Sequence, residues 1–180
     1  MTRNAWRFTV GHLQWLPIAR SEQSSPDWRH KWLAEATERA RVTALAREED
    51  EPMLRERCER ALDAAPEGEA FVFFALGEAL PAVVAMSTGS AGDTLRMAVR
   101  WASGDDAVVS IDPVPGVEMH DGRRIVRVSR RPDGGLHFAT GFFGSSGDLG
   151  LGMTMVTDAP LVAAQFAHAG SPLFASMSRR

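Results

Sequence analysis

The chain has 180 residues, 44% hydrophobic and 24% charged, with a formal net charge of -3. This size and balance fit one globular domain with a sizeable core, and they exclude a disordered or fibrous chain. The slightly acidic balance supplies no global basic field to draw in nucleic acid, and the single cysteine, Cys58, excludes an intrachain disulfide and hence a small stapled secreted fold.

Apolar residues of the segment Met1–Arg20 are interrupted by Arg3, Arg7, His12, Gln14 and Pro17, so it lacks the continuous run of a signal peptide. The longest nearly uncharged stretch, Ala70–Asp93, contains Glu78, Pro81 and several Gly and Ser, which makes it a poor spanning helix. These features predict a soluble, cytoplasmic protein without membrane insertion. Lys31 is the only lysine and tyrosine is absent, a bias of the kind GC-rich coding produces.

In chain order, Ala5–Val10 alternates Trp6, Phe8 and Val10 with Arg7 and Thr9 and predicts a half-buried strand. A second strand is expected around His12–Ile18, where Pro17 confines it to an edge or a strand end, because proline cannot donate to the ladder. Ser25-Pro26-Asp27 reads as a helix start, with a capping hydroxyl, a pre-set proline and an acid for the dipole. Trp28, Trp32, Ala36, Ala40 and Leu45 then recur at helical spacing to about Ala46. Asp50-Glu51-Pro52 opens a second helix with the stripe Leu54, Cys58, Ala61, Leu62 and Ala65, and Arg47–Asp50 is the hinge.

After Pro66-Glu67-Gly68 the period changes to two. Phe71–Leu76 and Ala82–Ser87 are uniformly apolar, as in central strands covered on both faces. Thr94–Trp101 alternates throughout and predicts a strand with Leu95, Met97, Val99 and Trp101 on one face and Thr94, Arg96, Ala98 and Arg100 on the other. Ala107–Ile111 is a further strand, and Asp112–Gly116 a stiff turn. Val117–His120 is a short extended piece closed by a tight Asp121-Gly122 hairpin. Arg124–Arg131 and Leu136–Phe143 flank the hairpin Pro132–Gly135, and Leu149–Thr157 closes the series. Loops this short force successive antiparallel strands.

Beyond Pro160, Val162, Phe166, Ala169, Leu173 and Met177 share a helical face, with a kink or break expected at Gly170–Pro172. Phe142 and Phe143 present one ring to each face of their strand, one for the terminal helix and one for the first helix, which implies a three-layer sandwich. The expected fold is α+β: an antiparallel sheet of about six to eight strands, flanked by N-terminal helices and a C-terminal amphipathic helix, in one domain spanning 1–180.

Gly89-Ser90-Ala91-Gly92-Asp93 and Gly144-Ser145-Ser146-Gly147-Asp148 repeat one pattern. Hairpin chemistry explains both; a phosphate cradle would need a following helix and a Lys-Ser/Thr pair.

The N-terminal strand region, the helix opening Pro26-Asp27-Trp28, the Asp-Gly hairpins with Arg-rich strands, and Leu151–Thr157 leading into a helix with Phe166 and Phe174 together resemble the PsbP-like superfamily. The resemblance implies an α/β/α sandwich and a non-enzymatic binding role.

Chemistry-bearing residues are sparse. The histidines His12, His30, His120, His137 and His168 lack local metal-ligand spacing, so neither a metal nor a cofactor is expected. Cys58 sits on an apolar stripe as a small hydrophobe, and Gly144-Ser145-Ser146-Gly147 does not match a nucleophile elbow, so no catalytic residue is assigned. Arg96, Arg100 and Arg127 are the candidate binding residues: on one sheet face they would grip an acidic protein partner or a phosphate, or else form a solvated face balanced by Asp105, Asp106, Asp112 and Glu118. Three functions stay open. The favoured one is a non-catalytic protein-binding or accessory module. The others are a small-molecule binder or small enzyme with a pocket between sheet and helices, marked by His137, Arg127 and Glu118, and an immunity or chaperone-like partner protein.

Overall fold

The computed structural model describes residues 6–7, 13–18, 27–103, 107–114, 119 and 121–179. Their elements are β1 (Trp6–Arg7), β2 (Trp15–Ile18), α1 (Trp28–Ala44), α2 (Glu51–Asp63), β3 (Ala70–Phe74), β4 (Pro81–Ser90), α3 (Ala91–Ala102), β5 (Ala107–Pro113), β6 (Arg123–Arg130), β7 (Leu136–Ser146), β8 (Leu149–Thr157), α4 (Pro160–Ala175) and β9 (Ser178–Arg179). Seven strands form one antiparallel sheet in the order β2-β3-β4-β8-β7-β6-β5, and β1 pairs with β9. The fold is the expected α+β sandwich with a C-terminal helix. Backbone contacts divide the chain into two compact units, Val10–Ala85 and Met1–Thr9 with Met86–Arg180.

In the Val10–Ala85 unit, β2 lies at the sheet edge, where Pro17 opposite Phe71 costs no inner ladder bond. Helix α1 begins at Trp28 behind Asp27, whose side chain makes no capping bond; Ser25 and Pro26 lie outside the described residues. It ends at Ala44 on Leu45, which takes a left-handed conformation with φ 54°. A single 3-10 turn, Glu48–Asp50, is the expected hinge, and α2 follows with Pro52 in its first turn. Both helices cover one face of β2 and β3: Trp32, Leu33, Ala36 and Ala40 from α1 and Leu54, Cys58 and Leu62 from α2 pack with Leu16, Ile18, Val72 and Phe74. Trp32 stacks on Trp28 at 6.3 Å, and its indole N–H donates to the Pro17 carbonyl at 3.0 Å, satisfying the polar end of a ring that is 5% exposed.

In the second unit the hairpins fall where the turn residues put them. Gly134 at φ 86° turns β6 into β7, and Gly147 at φ 58° with Asp148 turns β7 into β8. The β5–β6 connection differs from expectation: Pro113 pairs directly with Arg123, so Asp121-Gly122 belongs to a wider loop rather than a tight hairpin. The expected extended piece Val117–His120 falls mostly outside the described residues, as does most of the Ala5–Val10 strand.

The largest correction is Thr94–Trp101, which is helix α3 and not a strand. The sequence LRMAVRW satisfies both periods. As a helix it buries Thr94 and Ala98 with Met97 and Trp101 beside them, and it turns Leu95 and Val99 outward, 65% and 57% exposed. The decisive signal is local: the Ser90 hydroxyl caps the Asp93 N–H at 3.1 Å. The unit is thereby three-layered around β7. Phe142 packs against Phe166 and Phe174 of α4, while Phe143 meets Trp101 of α3, so the second covering helix is α3 and not the first helix of the chain.

Helix α4 runs unbroken through Pro172, contrary to the expected kink or break. The proline stands in the last turn, where it deletes few bonds. The Ala167 carbonyl there accepts both the Ser171 hydroxyl and the Arg124 guanidinium. The buried stripe is Val162, Ala163, Phe166, Gly170, Leu173 and Phe174.

Candidate functional site

Helix α3 lies on a track of glycines. A Cβ at Gly150 would stand 2.0 Å from Thr94 Oγ1 and 2.6 Å from the Ser90 carbonyl; one at Gly152 would stand 2.5 Å from Ser87 Oγ. One at Gly141 would meet the Phe143 ring at 2.4 Å. A side chain at Gly150 would hold the helix off β8, and one at Gly152 would displace Ser87 and the Phe143 ring beneath it. Without them its first turn settles onto the β7–β8 turn, and the Ala91 N–H donates to the Asp148 carbonyl at 2.9 Å. The helix leans toward β8, and a cleft stays open on its other flank, toward β6.

That cleft has a volume of about 450 Å³ and lies wholly within one unit. Ala91, Gly92, Thr94, Leu95 and Ala98 of α3 form one wall; Asp121, Arg123, Phe143, Gly144 and Ser145 form the other. Phe143, 2% exposed, is its apolar floor, held edge-on by Trp101 at 5.8 Å. Gly144 presents only backbone, since a Cβ there would crowd Met119 Sδ at 3.0 Å and Phe174 at 3.3 Å. Polar groups are few: the Thr94 and Ser145 hydroxyls, the exposed carboxylate of Asp121 and the exposed guanidinium of Arg123.

The two Gly-Ser-x-Gly-Asp segments meet at this end of α3. The first is a strand-to-helix junction and the second a hairpin, so a helix does follow the first, contrary to the sequence reading. It still makes a poor phosphate cradle. The Ala91 and Asp93 amides are already used, and the Asp93 carboxylate occupies the site, accepting from Ser90 Oγ at 2.7 Å and from Arg96. These bonds, Ser90 first and then Arg96, hold Asp93 below the usual carboxylate range.

The structure does not bring Arg96, Arg100 and Arg127 onto one sheet face. Arg96 and Arg100 lie exposed on α3, with Arg96 paired to Asp93, whereas Arg127 is on β6, its Nε buried without a hydrogen-bond partner. His137 neighbours Arg127 diagonally across β6 and β7, yet its Nδ1 is 2.8 Å from Asp158 Oδ1, and neither lines the cleft; Glu118 lies outside the described residues. Cys58 is fully buried, its thiol pushed up to about 11 mainly by burial. Among the described residues no group of three His, Cys, Asp or Glu is placed to hold a metal, and no helix is long and apolar enough to cross a membrane.

Sequence reasoning missed the cleft because it read α3 as a strand; the Ser90-x-x-Asp93 cap was the signal that could have found it. No known family model, curated protein or solved structure matches the chain.

Proposed function

We propose that the protein is a non-catalytic binding module whose ligand is a small molecule held between α3 and the sheet. The observation that carries this is the cleft of about 450 Å³, with an apolar floor and a few polar groups, the size and lining of ordinary ligand sites. Binding is favoured over catalysis because, among the described residues, no hydrogen bond links the Thr94 or Ser145 hydroxyl to Asp121 or to a histidine as a nucleophile–base pair requires. The proposed kinship with PsbP-like sandwiches points the same way, and the lone buried thiol supports a cytoplasmic setting.

The test is an amide NMR screen with a library of small amphipathic fragments. Gly92→Trp serves as the blocked control, because a Cβ at Gly92 meets nothing closer than 3.6 Å. Shifts centred on Leu95, Phe143 and Ser145 in the wild type, lost in the variant, are expected. A library that leaves those amides unmoved overturns the reading.

A protein partner is the second reading, favoured by the outer face of α3, where Val99 is exposed beside Arg96 and Arg100, with Leu95 exposed where that face meets the cleft.

A further inference from the structure

Two opposite charges border the cleft at one end, and neither is taken up by the fold. Asp121 and Arg123 both line it, and among the described residues neither enters an ion pair, with each other or with any other group. Most other arginines described beside acids are paired: Arg124 with Asp112 at 2.9 Å, Arg131 with Asp133 and Asp158, Arg41 with Glu38. The intervening residue fixes the position of both. The Gly122 carbonyl accepts the Val114 N–H at 2.7 Å, and Gly122 lies so close to that strand end that an added Cβ would stand 2.1 Å from the Val114 carbonyl oxygen. Arg123 is anchored further by pairing with both Pro113 and Phe143. Arg123 and Phe143 stand directly opposite each other on neighbouring strands, so their side chains share the sheet face that meets α3, and Asp121 lines the same cleft from the loop before β6. An unpaired carboxylate and an unpaired guanidinium, the latter on a backbone held by two strands, thus stand beside one apolar floor of Phe143, with Leu95 and Ala98 opposite.

We infer that the cleft takes a zwitterionic ligand with an apolar side chain, of amino-acid to dipeptide size. The ligand's ammonium is held by Asp121, its carboxylate by Arg123, with the Ser145 hydroxyl as a further donor, and its side chain lies on Phe143. A purely anionic ligand would leave the Asp121 carboxylate facing a like charge, and a purely cationic one would do the same at Arg123, so the pair selects against both. The guanidinium fork suits a carboxylate because it can donate two parallel bonds. This inference rests on the cleft being the ligand site.

Calorimetry with the full chain and L-phenylalanine or L-leucyl-L-leucine tests it, beside 3-phenylpropanoate, which lacks the amine, and 2-phenylethylamine, which lacks the carboxylate. The expected result is binding of a zwitterion, weakened about tenfold or more by removing either charge from the ligand. Arg123→Gln should weaken the zwitterion and the carboxylate-only probe while sparing the amine; Asp121→Asn should do the converse. Both positions are exposed, so these variants keep the fold, which their circular dichroism would verify. Equal affinity for 3-phenylpropanoate and L-phenylalanine overturns the zwitterion assignment. So does the absence of zwitterion binding when fragments still shift the cleft amides, an outcome that leaves the binding module intact. Silence from zwitterions and fragments alike removes both readings.

Discussion

At Gly150 the absence of a methyl group sets how closely α3 packs on β8. An added Cβ would meet Thr94 Oγ1 and the Ser90 carbonyl, one a helix side chain that is 4% exposed and the other backbone, so neither can swing aside cheaply. Gly150→Ala is therefore expected to destabilise by roughly 1–3 kcal/mol through overpacking. Gly89→Ala, whose Cβ would meet nothing closer than 3.7 Å, should be near neutral. Urea denaturation of the two variants checks the contrast; equal stabilities would mean that α3 does not rest on the β8 backbone. The same scale explains why the charged pair at the cleft escaped the sequence. Asp121-Gly122-Arg123 looks like a tight turn in one dimension, and only the pairing of Pro113 with Arg123 shows it to be a pinned loop end.

Helix α3 depends on its first turn, where Ser90 Oγ accepts from the Asp93 N–H and donates to the Asp93 carboxylate. Ser90→Ala should cost about 1 kcal/mol. In amide exchange the loss should appear first at residues 91–95; an unchanged exchange profile would show that the cap is idle. Most elements were legible from the sequence because their periods were unambiguous or their turn residues specific. The edge placement of β2 followed from Pro17, a hairpin between β7 and β8 from the Gly144–Asp148 segment, although β7 runs on to Ser146 and leaves only Gly147-Asp148 as the turn, and the opposed rings of Phe142 and Phe143 from strand alternation. Element α3 was illegible by periodicity because Leu95, Met97, Val99 and Trp101 fit a period of two while Thr94, Met97, Ala98 and Trp101 fit 3.6. Misreading that one element hid the cleft, since half of its lining residues belong to α3.

Across the whole molecule, two compact units share strand β4, whose residues 81–85 belong to one and 86–90 to the other. A pH effect on stability originates in the Val10–Ala85 unit. Burial raises the Cys58 thiol from 9.0 to about 11, the larger effect, while Thr37 pulls the other way. Above pH 9 the unfolded chain gives up this proton and the folded chain keeps it. The contribution is therefore full below pH 9, and stability falls by about 1.4 kcal/mol per unit as pH rises toward 11. Urea midpoints at about pH 8 and about pH 10.5 should separate in the wild type and close up in Cys58→Ala; equal separation in both would assign the slope to other groups. The glycine track under α3 has a kinetic consequence too. Gly141, Gly150 and Gly152 on that face, and Gly144 on the α4 face, each weaken an isolated strand by roughly 0.5–1 kcal/mol relative to alanine, so the β7–β8 hairpin, the most local pairing in its unit, is a poor nucleus by itself. Its closure is expected to depend on α3, which is separated from it in the chain by β5 and β6, so that this unit folds at the rate of that long-range encounter rather than of the turn; a Ser90→Ala variant that unfolds faster yet refolds at the wild-type rate would place α3 outside the rate-limiting step.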